Sequence, residues 1–260
     1  MVAALMSGLV SLQSQRMQSV EPTALAVTVG ERVVPAVLWR GTTEVTPLVL
    51  LGHGGSGHKT APRQMLLANR LVAAGLTVVA IDGPLHGERA GHSMSPGEYQ
   101  AALVARGVES VIGDMVDDWR AAVDAARALG AVDERLGYLG LSMGTRFGLP
   151  LAAELGGHLT CAVLGKFGLQ QSSALHPGLH DTTQLRRDAA RVDAPTLWHV
   201  QWDDDLFPRS GQLEIFDVLG AKQKRLLAFP GDHGSTADDA VDAWVSFLVR
   251  HLSAPEPDST

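Results

Sequence analysis

The chain is nearly free of cysteine: Cys161 is the only one in 260 residues, so no disulfide framework exists. It lies in the apolar run Thr160-Cys161-Ala162-Val163-Leu164, which reads as a buried structural thiol. No apolar stretch approaches the roughly 20 residues needed to span a bilayer. The first twenty residues lack the basic start and unbroken apolar stretch of a secretion signal, and Gln13, Gln15, Arg16 and Gln18 follow closely. The expectation is a cytoplasmic protein with no membrane partner. Basic stripes are missing as well: formal net charge is -7 with both signs interspersed, which argues against nucleic acid as a partner. No internal repeat is present. His53, His58, His86 and His92 cluster in sequence but lack H-E-x-x-H or similar ligand spacing, so neither a metal nor a cofactor is expected.

With 45% apolar residues, the chain has enough material for one core, expected over 23–252. Residues 1–22 read as a loose N-terminal segment, and the polar, proline-bearing tail 253–260 reads as disordered. Short apolar runs bounded by glycine alternate with longer helical patterns, the signature of a mostly parallel sheet covered by helices. Eight runs read as strands: 23–29, 32–39, 47–52, 77–82, 136–141, 160–165, 195–202 and 225–229. The first two are too close for a crossover and should form a hairpin turning near Gly30-Glu31. The longest helical pattern starts at Ser95-Pro96-Gly97-Glu98, a capping box with proline at the first helical position, and runs to Leu129. Gly107 and Gly113 weaken its first half and permit a bend. The closing helix has a candidate cap at Ser235.

Chemistry concentrates where strands end. Strand 136–141 runs into Gly140-Leu141-Ser142-Met143-Gly144, a G-x-S-x-G elbow that lifts a serine hydroxyl clear of the sheet at the start of a helix. The flanking glycines give the strained turn its room. The Met143 N–H then stands at a helix N-terminus, where an oxyanion is favoured. Strand 47–52 ends in His53-Gly54-Gly55-Ser56-Gly57, whose backbone can approach a substrate oxygen. Gly55 is the candidate second oxyanion donor, and His53 braces that loop. A phosphate-cradling loop is the alternative for this run: Gly52-His53-Gly54-Gly55-Ser56-Gly57 spells G-x-G-x-x-G, but His58 separates Gly57 from Lys59-Thr60, so the G-K-[S/T] end of a P-loop is not completed. A serine hydroxyl needs a base and a third group to orient that base. Asp203-Asp204-Asp205 follow strand 195–202, and Asp232-His233-Gly234 follow strand 225–229.

These features together resemble the α/β-hydrolase superfamily over about residues 23–252, in a short form similar to dienelactone-hydrolase-like and peptidase-related esterases. The resemblance implies an α/β-hydrolase fold, a mostly parallel eight-stranded sheet with helices on both faces and a short cap segment. It also implies a Ser142, Asp204, His233 triad, His233 by its Gly-x-His-Gly setting and Asp204 by its spacing to Pro208, with Asp203 and Asp205 as local rivals. The implied activity is cleavage of a small soluble carboxylic ester. Thioesterase, lactonase or peptidase action would use the same residues, and a silent ligand-binding protein is the rival of another class. The segment from Gly165 to Asp188 stands where lipases insert a lid, and its many polar residues imply an open pocket. Phe167, Leu169, Trp202 and Phe207 are the candidate pocket rim, and His86 reads as a loop residue.

Overall fold

Apolar runs rich in β-branched residues and leucine become strands, and the alternation along each run decides which layer a side chain joins. The computed structural model describes residues 19–130 and 132–253; segments 1–18 and 254–260, which include most of the expected loose ends, lie outside the described residues. Ten strands and seven α-helices are found among the described residues. The strands are Thr23–Leu25 (β1), Thr28–Val29 (β2), Arg32–Val33 (β3), Ala36–Trp39 (β4), Thr46–Gly52 (β5), Thr77–Ile81 (β6), Val132–Gly140 (β7), Cys161–Gly165 (β8), Thr196–Gln201 (β9) and Lys224–Phe229 (β10). The helices are Pro62–Ala73 (α1), Pro96–Arg106 (α2), Val108–Ala128 (α3), Met143–Leu155 (α4), Thr182–Arg191 (α5), Arg209–Val218 (α6) and Asp238–Leu252 (α7).

Eight strands form one sheet in the order β1-β4-β6-β5-β7-β8-β9-β10. β4 is antiparallel to both β1 and β6, and every other neighbouring pair is parallel. On β5, Leu48 and Leu50 face one core with α3, α4 and α5, whereas Val49 and Leu51 face a second with α1 and α7. Helices therefore cover both faces of the sheet. No helix among the described residues is long and apolar enough to cross a membrane.

Three local expectations need correction. The N-terminal hairpin turns at Gly30 (φ +56°) as expected, but its ladder is split into β1–β4 and the separate β2–β3 pair. The break falls at Pro35, which has no N–H to give; its carbonyl instead accepts from the Asp82 N–H at 3.1 Å. The long helix is two helices, because Gly107 adopts φ +92° and ends α2 before α3 begins. The capping box at Ser95 and Glu98 is present, and Gly113 stays within α3. Ser235 does not cap the last helix: its side chain is turned to Asp232 (2.7 Å), and α7 starts after Ala237. At the N-terminal edge, the Val20 N–H donates to Asn69 Oδ1 at 2.6 Å.

Candidate active site

The C-terminal ends of β5, β7, β9 and β10 converge, as parallel neighbours must, and each delivers one part of the site. Ser142 lies between β7 and α4 with φ +58°, a backbone conformation that costs a non-glycine residue energy and is held by its surroundings. The flanking glycines are required by close approach. A Cβ on Gly140 would stand 2.9 Å from the Gly144 carbonyl oxygen, and one on Gly144 would stand 3.2 Å from the Gly52 carbonyl oxygen. Tyr138, fully buried, donates its hydroxyl to the Gly144 carbonyl at 2.6 Å and locks the turn from beneath.

The Ser142 Oγ is 2.8 Å from His233 Nε2, and His233 Nδ1 is 2.9 Å from Asp204 Oδ2. The Asp204 carboxylate is wholly buried. The other two aspartates hold backbone instead: Asp205 accepts the His233 N–H at 3.1 Å, and Asp203 accepts the Gly231 N–H at 3.3 Å. With Nδ1–H donated to a carboxylate, Nε2 is left as the acceptor for the serine hydroxyl.

The Met143 and Gly55 N–H groups donate to no described residue, and a Cβ on Gly55 would stand 2.6 Å from the Tyr99 hydroxyl oxygen and in ordinary contact, 4.0 Å, with the Met143 Cβ. His53 accepts the Gly83 N–H on Nε2 and donates from Nδ1 to the Gly54 carbonyl, both at 2.8 Å, tying the Gly54-Gly55 loop to the loop after β6. Burial pushes its pKa down to about 4, so the ring is neutral as this bonding requires. Lys59 and Asp82 make a second tie at 2.7 Å, both side chains buried. His86, expected on a loop surface, is buried with its Nε2 2.9 Å from the Gly55 carbonyl.

No family model matches the chain, and no curated protein matches it. Solved structures do. A cold-adapted esterase from an Arctic intertidal metagenomic library is 33% identical, with 92% of this chain and 97% of that one covered and a TM-score of 0.76. The chain belongs to the α/β-hydrolase family. A dienelactone hydrolase from Anabaena variabilis shares the hydrolase fold at 23% identity and a TM-score of 0.64, over 90% of this chain and 97% of that one. So does a puromycin-hydrolysing peptidase from Mycobacterium tuberculosis, at 20% identity and a TM-score of 0.69, over 90% of this chain and 39% of that one.

A cavity of about 490 Å³ opens on Ser142 in this α/β-hydrolase, bordered by Phe167 and Phe207. Trp202 and Leu169 are not among its lining residues: Trp202 is 47% exposed and stacks under Arg209, whose guanidinium carbon lies 4.0 Å from the ring centroid. Strand β9 ends at Gln201, so Trp202 falls in the turn beyond it. The cover is also less polar within than its composition implied, since Leu175 and Leu179 line the cavity and helix α2 adds Tyr99 and Leu103. Among the described residues, no group of three or more His, Cys, Asp or Glu could hold a metal ion.

Two bracing residues carry no local sequence signal. Gln212 on α6 is fully buried and links the Phe207 carbonyl (2.7 Å), the Gln201 N–H (3.0 Å) and Asp204 Oδ2 (3.3 Å). Lys166, at φ +47° just past β8, donates its buried ammonium to the carbonyls of His233 (3.2 Å) and Ser235. Both follow from tertiary placement alone.

Proposed function

We propose that the protein is a serine carboxylic ester hydrolase acting on small soluble esters. The observation that carries this reading is the connected line Ser142 Oγ, His233, Asp204, beside two N–H groups with no acceptor among the described residues. His233 Nε2 takes the Ser142 proton as Oγ attacks the ester carbonyl. The Met143 and Gly55 N–H groups receive the oxyanion, and Asp204 stabilises the imidazolium. His233 then gives its proton to the departing alcohol. Water, deprotonated by the same imidazole, cleaves the acyl-enzyme and regenerates Ser142. Residues of this chain supply the groups these steps use, and the partner is a small-molecule ester. A cytoplasmic location belongs to the same proposal.

Similarity to an esterase at 33% identity supports the reaction class. The test is covalent: a fluorophosphonate probe should label folded protein at Ser142, and prior heating or Ser142→Ala should abolish both labelling and hydrolysis of p-nitrophenyl acetate. Folded protein that neither reacts with the probe nor hydrolyses the ester would instead be a ligand-binding member of the fold.

A further inference from the structure

Three cationic side chains, Arg63, Arg146 and Lys166, line the cavity at Ser142, and among the described residues no aspartate or glutamate does. This imbalance occurs in a chain whose formal net charge is -7. Lys166 holds the carbonyls of the His233 loop, and Arg63, exposed as a whole residue, sets its guanidinium carbon 5.6 Å from the Trp244 ring centroid, where burial lowers its pKa.

Arg146 is different. It sits one helical turn after Ser142 on α4 and is only 7% exposed. Its guanidinium donates from Nη1 to the Leu179 carbonyl and lies 5.1 Å from the Phe167 ring centroid. It forms no ion pair with a described residue. Other partly buried arginines do find acids: Arg32 and Arg89 both pair with the buried Asp118. An uncompensated buried guanidinium is costly, and its fork of five donors suits a planar carboxylate. Here the guanidinium meets one acceptor among the described residues, the Leu179 carbonyl, and the side chain lines the cavity.

We propose that Arg146 recognises an anionic group of the substrate, and that the preferred substrates are esters that also carry a carboxylate. This rests on the esterase reading above and narrows its substrate class. A purely structural alternative is that Arg146 only ties the Leu179 segment to α4, in which case the charge of the substrate would be irrelevant.

The experiment compares two pairs of esters by following acid release: monoethyl glutarate with ethyl pentanoate, where the carboxylate is on the acyl side, and 4-acetoxybenzoate with phenyl acetate, where it is on the alcohol side. The readout is the ratio of kcat/KM within each pair, in which any general damage to the site cancels. In the wild type, at least one carboxylate-bearing ester should be preferred by roughly 10- to 100-fold, the range of a charge-assisted bond. Arg146→Met should bring that ratio to about one or below, and Arg146→Lys, which keeps a cation but loses the fork, should retain part of it. Wild-type ratios near one in both pairs overturn the proposal, as does a preference that Arg146→Met leaves intact. If Arg146→Met does not fold, the lysine variant decides, and an unchanged ratio overturns the proposal. Failure of wild-type protein to hydrolyse the four esters and p-nitrophenyl acetate alike would overturn the esterase reading itself, whereas hydrolysis of p-nitrophenyl acetate with none of the four overturns this inference alone.

Discussion

Asp204 engages His233 with one carboxylate oxygen and anchors its own loop with the other: Oδ2 is 2.9 Å from His233 Nδ1, while Oδ1 accepts the N–H groups of Leu206 (2.9 Å) and Phe207 (2.8 Å). Both oxygens are committed, so the imidazole is held in one orientation. Asp203 and Asp205 reach the same histidine loop only through its backbone. Asp204→Asn should therefore lower kcat by on the order of 10³- to 10⁴-fold, because the imidazole loses its tautomer control and its counter-charge. Asp203→Asn and Asp205→Asn should cost about tenfold or less, as loosened backbone anchors. Steady-state kinetics on p-nitrophenyl acetate rank the three, and a reversed order would reassign the acid.

Lys166 holds the His233 loop from below. Its pKa is pushed down to about 8 by burial, with Arg63 nearby adding to the effect. Below that pH the ammonium grips the carbonyls of His233 and Ser235; above it the neutral amine binds them more weakly. The expected outcome is that wild-type kcat falls between about pH 8 and 9, and that Lys166→Met lowers kcat by up to roughly 100-fold while KM changes little. The variant should also lack the alkaline limb. A pH profile of kcat for both proteins checks this, and an identical alkaline limb in the variant would remove Lys166 from the account.

The glycine-bounded strand runs, the serine elbow and the aspartate and histidine turns were legible because each is a local pattern: alternation for strands, glycine at a sharp strand-to-helix turn, polar residues at strand ends. The choice of Asp204 over Asp203 and Asp205 came only through the family resemblance, by its spacing to Pro208, since adjacent residues differ in which way the turn presents them. Helix α2 as a pocket wall was hidden for another reason. Its placement depends on how far the chain swings at Gly107, which the helical periodicity on either side does not encode. Trp202 illustrates the converse error, an aromatic near the site in sequence that the turn after β9 leaves on the surface.

Acid should destabilise the fold before most carboxylates titrate. His53 and His199 are buried, and burial lowers each from its usual value near 6.5 to about 4. Between those values the unfolded chain binds protons that the native state refuses, so this contribution to stability is complete above about pH 6.5 and is lost as pH falls towards 4. Each ring can contribute at most about 3 kcal/mol across that window. Melting temperature should thus drop from pH 7 to pH 5, and His199→Leu, which replaces an imidazole packed between Phe229 and Trp244, should flatten the curve. A melting temperature constant over that interval would contradict the buried neutral state of both rings.

The last expectation concerns neutral substrates, and it follows from where the cavity walls end. Leu103, Leu179, Leu206, Phe167 and Phe207 give an acyl chain apolar contact near Ser142 within a space of about 490 Å³. Each methylene that reaches those walls contributes up to about 0.8 kcal/mol, roughly fourfold in kcat/KM. Arg146 interrupts this surface: a neutral chain that extends over the guanidinium strips away its water and returns no hydrogen bond. The gain per methylene should accordingly stop early. Across p-nitrophenyl esters of increasing acyl length, kcat/KM should rise over the first few carbons, peak at a short chain and then fall. The short segment that places Leu175 and Leu179 in the cavity lining supplies no reason for activation at an oil-water interface. A steady rise through long-chain esters, or a jump in rate above the solubility limit, would show that the chain follows a path past Arg146 and that the cover opens to a lipid surface.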